Sequence, residues 1–247
     1  MSFGQMPFGW ITNGMLHEFS GAYGRAGLDV AALKTYLAIA AYRDFRSGET
    51  VLSTQDFETL TGASRSTVLK STKLLEGRGL VTIEGRAERN TNVYMLGSVE
   101  AGFRKVPQDT IVKNLRTLSN RPGPSLAALR IYLALLYYRD GDDNCAKVSH
   151  AKLVKMTGVR PTGVKKAVKL LMETHLVGSV FPANDLKEIF QTALATNSYL
   201  LTGDFAGKRQ PIQRPTDLRN QQRRQLIRSS RPVTHEEQWL PDDDVPE

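Results

Sequence analysis

Cysteine is almost missing from this sequence: Cys145 stands alone, which excludes an internal disulfide and leaves a partly buried, inert thiol as its expected state. Long apolar runs are missing too, since nothing approaches the ~20 residues that a membrane span requires, and no membrane partner is expected. The first residues lack the basic flank, apolar stretch and small-residue cleavage site of a secretory signal, so a cytoplasmic location is expected. The 4 histidines are scattered, no His/Cys group has metal-binding spacing, and no Gly-rich loop ends in Lys-Ser or Lys-Thr. Neither a cofactor nor catalysis is expected, and the chain reads as a non-enzyme.

What is present is a globular composition with a basic surplus. The 247 residues are 40% hydrophobic, enough for one large core or for two domains of about 100 residues each. The formal net charge is +8 and the pI is about 9.6, which favours a polyanionic partner. Charge alone does not separate nucleic acid from an anionic surface. Its position along the chain has to.

The chain repeats itself. Residues 28 to 81 align without a gap with 124 to 177, at an offset of 96. Ala31-Ala32-Leu33-Lys34-Thr35-Tyr36-Leu37-Ala38 corresponds to Ala127-Ala128-Leu129-Arg130-Ile131-Tyr132-Leu133-Ala134. Tyr42-Arg43-Asp44 recurs as Tyr138-Arg139-Asp140, and Thr61-Gly62 as Thr157-Gly158. Upstream, Phe8, Ile11 and Leu16 align with Phe103, Val106 and Ile111 at an offset of 95; downstream, Thr91-Asn92-Val93-Tyr94 meets Thr196-Asn197-Ser198-Tyr199 at 105. Two homologous domains are expected, at 1–97 and 102–205, with a short linker at 98–101. Residues 206–247 pass from a basic run to an acidic end containing Asp242-Asp243-Asp244, and this tail is expected to be largely disordered, with too little apolar side chain to offset ordering entropy.

Within each unit the apolar spacing predicts three helices and a hairpin, a mainly α, α+β fold. Leu33, Tyr36, Leu37 and Ala40, like Leu129, Tyr132, Leu133 and Leu136, lie at helical spacing and predict a core helix. Tyrosines among leucines at this spacing read as core rather than as platforms for bases. A second helix follows Ser53 or Ser149, both good N-caps, and ends at the Gly62 or Gly158 turn. The third helix starts after Ser64 in the first unit and at Pro161 in the second, and ends near Gly79 or His175. Val68, Thr72 and Leu75, or Val164, Val168 and Leu171, would face the core. The opposite face carries Arg65, Ser66, Lys70 and Lys73 in one unit and Thr162, Lys165, Lys166 and Lys169 in the other. Two β-branched stretches then predict a hairpin whose first tip carries Arg86 and Arg89. The second hairpin is longer by 9 residues, and its insert, with Asp185 to Phe190, reads as a short helix.

The segment from Leu60 to Val68, continuing to Leu75, Gly79, Leu80 and Val81, resembles the winged helix of plasmid and phage replication proteins. The tandem duplication is similar to that of plasmid replication initiators, whose paired winged helices bind repeated sites at an origin. The resemblance covers about residues 8–205 and implies two tandem winged-helix (helix-turn-helix) domains that bind double-stranded DNA, with replication or transcription proteins as further partners. Bacterial transcriptional regulators share the same segment. By this resemblance Arg65, Ser66, Lys70, Lys73, Thr162, Lys165, Lys166 and Lys169 would face DNA. In such a motif the early residues of the second helix meet base edges, so Arg65 is the candidate for guanine, and the later lysines are candidates for phosphates. A winged helix serving as a protein-docking module would instead expose an acidic or apolar face, and two basic copies argue against it.

Overall fold

The structure is a computed structural model that describes residues 3–85, 91–97, 102–121, 123–141, 143–182 and 196–204. It is an α+β fold of helices and small antiparallel sheets. The first repeat runs β1 (Phe3–Pro7), α1 (Gly9–Thr12), α2 (Ala26–Tyr42), β2 (Glu49–Ser53), α3 (Thr54–Thr61), α4 (Arg65–Gly77), β3 (Val81–Gly85) and β4 (Thr91–Leu96). The second runs β5 (Phe103–Pro107), α5 (Gln108–Asn114), α6 (Pro124–Tyr138), β6 (Cys145–Val148), α7 (His150–Thr157), α8 (Pro161–Glu173), β7 (Val177–Phe181) and β8 (Asn197–Leu201). Short 3₁₀ turns at Met15–Glu18 and Leu115–Thr117 precede the two long helices. Among the described residues no helix is long and apolar enough to cross a membrane.

The long helices α2 and α6 are buried nearly all round, as their continuous apolar sequence demands. Helix α2 meets α3 and α4 on one side and β1, α5 and α6 on another. Tyr36 and Tyr132 lie in this interior, as their spacing predicts. Trp10 Nε1 donates to the Tyr36 hydroxyl at 2.7 Å, and that hydroxyl donates to Pro7 O at 3.1 Å, tying β1 and α1 to α2. Burial pushes both phenols well above their ordinary range. The repeated Tyr-Arg-Asp triplet ends each long helix and opens the turn into the next strand: Asp44 N donates to Glu49 O at 2.7 Å and Asp140 N to Cys145 O at 2.8 Å. These strands, β2 and β6, are not marked by any run that the spacing singles out. Each completes a three-stranded sheet, β2-β4-β3 and β6-β8-β7. Cys145 is half-buried on β6, and burial together with the Asp143 carboxylate pushes its thiol up.

Strands β1 and β5 pair with each other, antiparallel, with Phe3 opposite Pro107, Gln5 opposite Lys105 and Pro7 opposite Phe103. This corrects the upstream alignment. Phe103 corresponds to Phe3, not Phe8, and Ile111 of α5 corresponds to Ile11 of α1, at an offset of 100. The first repeat is longer by 4 residues (100 less 96) between these segments and the long helix, and a few scattered apolar residues could not reveal that insertion.

The two repeats share one hydrophobic core, and all described residues fall in one compact unit. The ends of α3 and α7 explain part of this. A helix leaves its last carbonyls without intrahelical partners, and here the other repeat supplies them. Asn120 Nδ2 donates to Thr61 O at 3.1 Å, and the His17 ring donates to Lys155 O at 3.0 Å. Lys34, wholly buried, donates to Thr61 O at 2.8 Å and also to Leu118 O of the second repeat.

Arg86, Arg89, the linker 98–101, the insert at Asp185 to Phe190 and the tail 206–247 lie outside the described residues.

Two outcomes are expected. A β-carbon at Gly4 would overlap the Ala40 carbonyl oxygen and lie 2.6 Å from Ala41 Cα, both backbone atoms of α2. Gly4→Ala should therefore cost about 1–3 kcal/mol as β1 is pushed off α2. Gly77→Ala, in open space, should be neutral or stabilising by up to about 1 kcal/mol. Urea unfolding compares them, and equal stabilities would contradict the close approach.

The second outcome concerns Lys34, whose burial lowers its pKa from 10.5 to about 8. The neutral amine has two hydrogens, one for each carbonyl. Between pH 8 and 10.5 the unfolded chain binds the proton and the folded chain does not, so stability should rise with pH across that window. The rise should be on the order of 3 kcal/mol relative to Lys34→Met, whose own pH profile lacks it. A pH-independent difference between the two proteins would contradict this.

Candidate nucleic-acid interface

The two helix, turn, helix segments are built alike. The Thr61 hydroxyl donates to Phe57 O at 2.7 Å and accepts from Ala63 N at 3.2 Å; the Thr157 hydroxyl donates to Leu153 O at 2.6 Å and accepts from Val159 N at 3.3 Å. The glycine that follows has φ +67° in the first repeat and +63° in the second, a left-handed conformation that side chains resist. Repetition of Thr-Gly in the sequence is thus repetition of one turn.

That turn sets the start of α4 and α8. Ser53 caps α3 with a full capping box: its hydroxyl accepts from Asp56 N at 3.1 Å, and the buried Asp56 carboxylate accepts from Ser53 N at 2.8 Å and from its hydroxyl at 2.7 Å. Ser64 caps α4 through a longer contact, 3.4 Å from Thr67 N. Helix α8 has no side-chain cap and begins with Pro161 at its first position, where the missing N–H costs nothing. His175 takes the place of Gly79 after the helix with φ +54°.

Both helices bury the predicted stripe: Val68, Thr72 and Leu75 in α4, and Val164, Val168 and Leu171 in α8. Thr72 fits among apolar neighbours because its hydroxyl donates to Leu69 O at 3.0 Å. Ser71 and Ala167 complete the buried face, and the Ser71 hydroxyl donates to Thr67 O at 2.8 Å.

Arg65, Ser66, Lys70 and Lys73 are all exposed on α4, as are Thr162, Lys165, Lys166 and Lys169 on α8. At 3.6 residues per turn each set falls on one side of its helix. The α4 face carries three cations and Glu76; the α8 face carries three cations and Glu173, which lies 3.8 Å from Lys169. Burial, with a smaller contribution from the Lys165 charge, pushes the His150 imidazole down. A cleft of about 420 Å³ flanks α8, lined in part by Pro124, Ala127, Lys166 and Lys169.

Leu69 was not singled out by the sequence pattern. It is 44% exposed and lies between Arg65 and Lys73 in the middle of the α4 face. An apolar residue one turn beyond Arg65 broke the polar pattern of the predicted set, and that interruption was the available signal. Its equivalent at an offset of 96 is Lys165.

Among the described residues no three His, Cys, Asp or Glu side chains come together to hold a metal. In comparisons with known proteins, no family model matches the chain and no curated protein matches it.

The caps generate a test. Ser53→Ala removes the hydroxyl that accepts from Asp56 N and donates to the buried Asp56 carboxylate, leaving only the Ser53 N–H on that carboxylate, and should cost about 1–2 kcal/mol, whereas Ser64→Ala removes a long cap contact and solvent-exposed hydroxyl contacts to Ser66 and Thr67 and should cost about 0.5 kcal/mol. Denaturant midpoints would show this order, and its reversal would contradict the cap geometry.

Proposed function

We propose that the chain binds double-stranded DNA through two tandem winged-helix domains, 1–97 and 102–205, acting as a plasmid- or phage-type replication initiator in the cytoplasm rather than as an enzyme. The observation that carries this reading is the pair of equivalent helices, α4 and α8, each with an apolar face in the core and three cations on the other. Such a face is the electrostatic footprint expected of a helix that enters the major groove. The three-stranded sheets supply the hairpins that the winged-helix reading requires, and Arg86 and Arg89 would extend the first toward phosphate or minor groove.

The choice of replication over transcriptional control rests on the resemblance of the segment from Leu60 to Val81 and on the duplication. In this reading Arg65 meets a guanine, Ser66 and Thr162 contact base edges, and Lys70, Lys73, Lys165, Lys166 and Lys169 hold phosphates. Leu69 adds an apolar surface suited to a thymine methyl group.

Arg65→Ala should weaken binding to the preferred duplex by ~1–3 kcal/mol and relax choice at one base position. Lys70→Ala should weaken all duplexes alike and reduce the salt slope by about 1. Site selection from random duplexes, followed by titration at several salt concentrations, reads both. An unchanged preferred site for Arg65→Ala would remove its assigned role, and absence of duplex binding by the native chain would overturn the function.

A further inference from the structure

The pairing of β1 with β5 has a symmetry that fixes how the two recognition helices are related. Residues equivalent between the repeats differ here by 100, so Phe3 corresponds to Phe103, Gln5 to Lys105 and Pro7 to Pro107. Phe3 pairs with Pro107 while Phe103 pairs with Pro7, and Gln5 pairs with its own equivalent, Lys105. Exchanging the repeats maps this register onto itself. Only a two-fold rotation through the Gln5/Lys105 pair does that.

The same exchange holds away from the strands. Helix α2 packs against α5, and α6 packs against α1; α3 packs against the turn at Leu115–Thr117, and α7 against the turn at Met15–Glu18. Helices α2 and α6, which exchange with each other, are in mutual contact. Asn120 on Thr61 O and His17 on Lys155 O brace each repeat against the other, although these two contacts use non-equivalent residues. Since α4 rests on α2 and α8 on α6, the two-fold carries α4 onto α8. The relation is held by shared core and by hydrogen bonds, not by the tether between the repeats.

Resting on the DNA-binding reading, we infer that the chain recognises a pseudo-palindrome: two half-sites in inverted orientation, centred about 10–10.5 base pairs apart, with unequal demands on sequence. Duplex DNA has local two-fold axes perpendicular to its own axis, and readers related by a two-fold meet it on opposite strands. A direct repeat would require the readers to be related by translation along the duplex, which the β1–β5 register does not allow. The half-site under α4 is the selective one, because Arg65, Ser66 and Leu69 offer a bidentate donor, a hydroxyl and an apolar contact. The half-site under α8 is the tolerant one, because Pro161, Thr162 and Lys165 replace them with a residue lacking a side-chain donor, a hydroxyl and a point charge.

The test makes the two faces equal. In the full chain, Pro161→Arg, Thr162→Ser and Lys165→Leu together give α8 the base-reading residues assigned to α4, and Lys166 and Lys169 already match Lys70 and Lys73. Selection from random duplexes should return one short block twice, inverted. A duplex in which one block is turned to direct orientation should bind on the order of 100-fold more weakly, since only one helix can then engage. Selection of direct repeats, or of a single block, would overturn the inference and leave DNA binding standing.

A second measurement uses the native faces and does not depend on the triple variant folding. In a Cys145→Ser background, an iron chelate is attached at Gly85→Cys or at Phe181→Cys, at the ends of the β3 and β7 strands. Cleavage of the duplex selected by the native chain should fall at positions symmetric about the centre of the site. Cleavage displaced in the same direction from each half-site would overturn the two-fold arrangement. If the native chain selects no duplex at all, the functional reading itself falls.

Discussion

Five residue pairs between β1 and β5 set the relation on which the rest of the described structure depends. Two five-residue strands paired alone would be marginal in water. Here the pair is covered by α2, whose backbone comes so close that position 4 admits only glycine. Arg43, at the end of α2, reinforces the junction: its guanidinium donates to Gln5 Oε1 at 3.1 Å and lies 4.5 Å from the Phe103 ring centroid, linking a strand from each repeat to the same helix end. The long helices can then be apolar on every side because each is covered on one side by its own repeat and on the other by its neighbour.

This arrangement carries through to the turns before α4 and α8. The carbonyls at the ends of α3 and α7 are satisfied by residues from the opposite repeat, so the position of each exposed helix depends on both halves of the chain. Lys34 is the strongest case. Its amine has no carboxylate partner among the described residues and is held by two carbonyls, one from each repeat. At the matching position Arg130 is also buried, so a cation recurs in the interior of both long helices. The symmetry is incomplete in detail: Trp10 bonds to Tyr36, whereas the Tyr132 hydroxyl has no partner among the described residues.

Much of the local structure could be read from sequence because short-range chemistry determines it. Ser53 and Ser149 cap helices, Thr-Gly makes the turns at 61–62 and 157–158, and the stripe through Val68 and Leu75 meets the core. What could not be read is long-range. β1 and β5 have no alternating pattern, the change of offset from 100 to 96 hides their equivalence, and pairing across the repeats leaves no local mark. Lys34 and Arg130 illustrate the same limit, since charge alone assigns them to the surface while the structure encloses them. Helical spacing places every polar candidate of α4 and α8 on the outward face, but it gives no reason to include Leu69, an apolar residue among them.

The duplicated scaffold and the diverged faces follow different constraints. Residues that set position are retained in kind: Tyr36 with Tyr132, Thr61 with Thr157, Leu75 with Leu171, and a buried cation at 34 and 130. Residues that point outward from the third helices keep their charge balance while changing their chemistry, from Arg65, Ser66 and Leu69 to Pro161, Thr162 and Lys165. Packing tolerates little variation because each core side chain touches many others, whereas an exposed residue answers only to its partner. A scaffold that holds two such helices in a fixed relation can therefore let one carry most of the discrimination and the other most of the attraction, without altering how either is positioned.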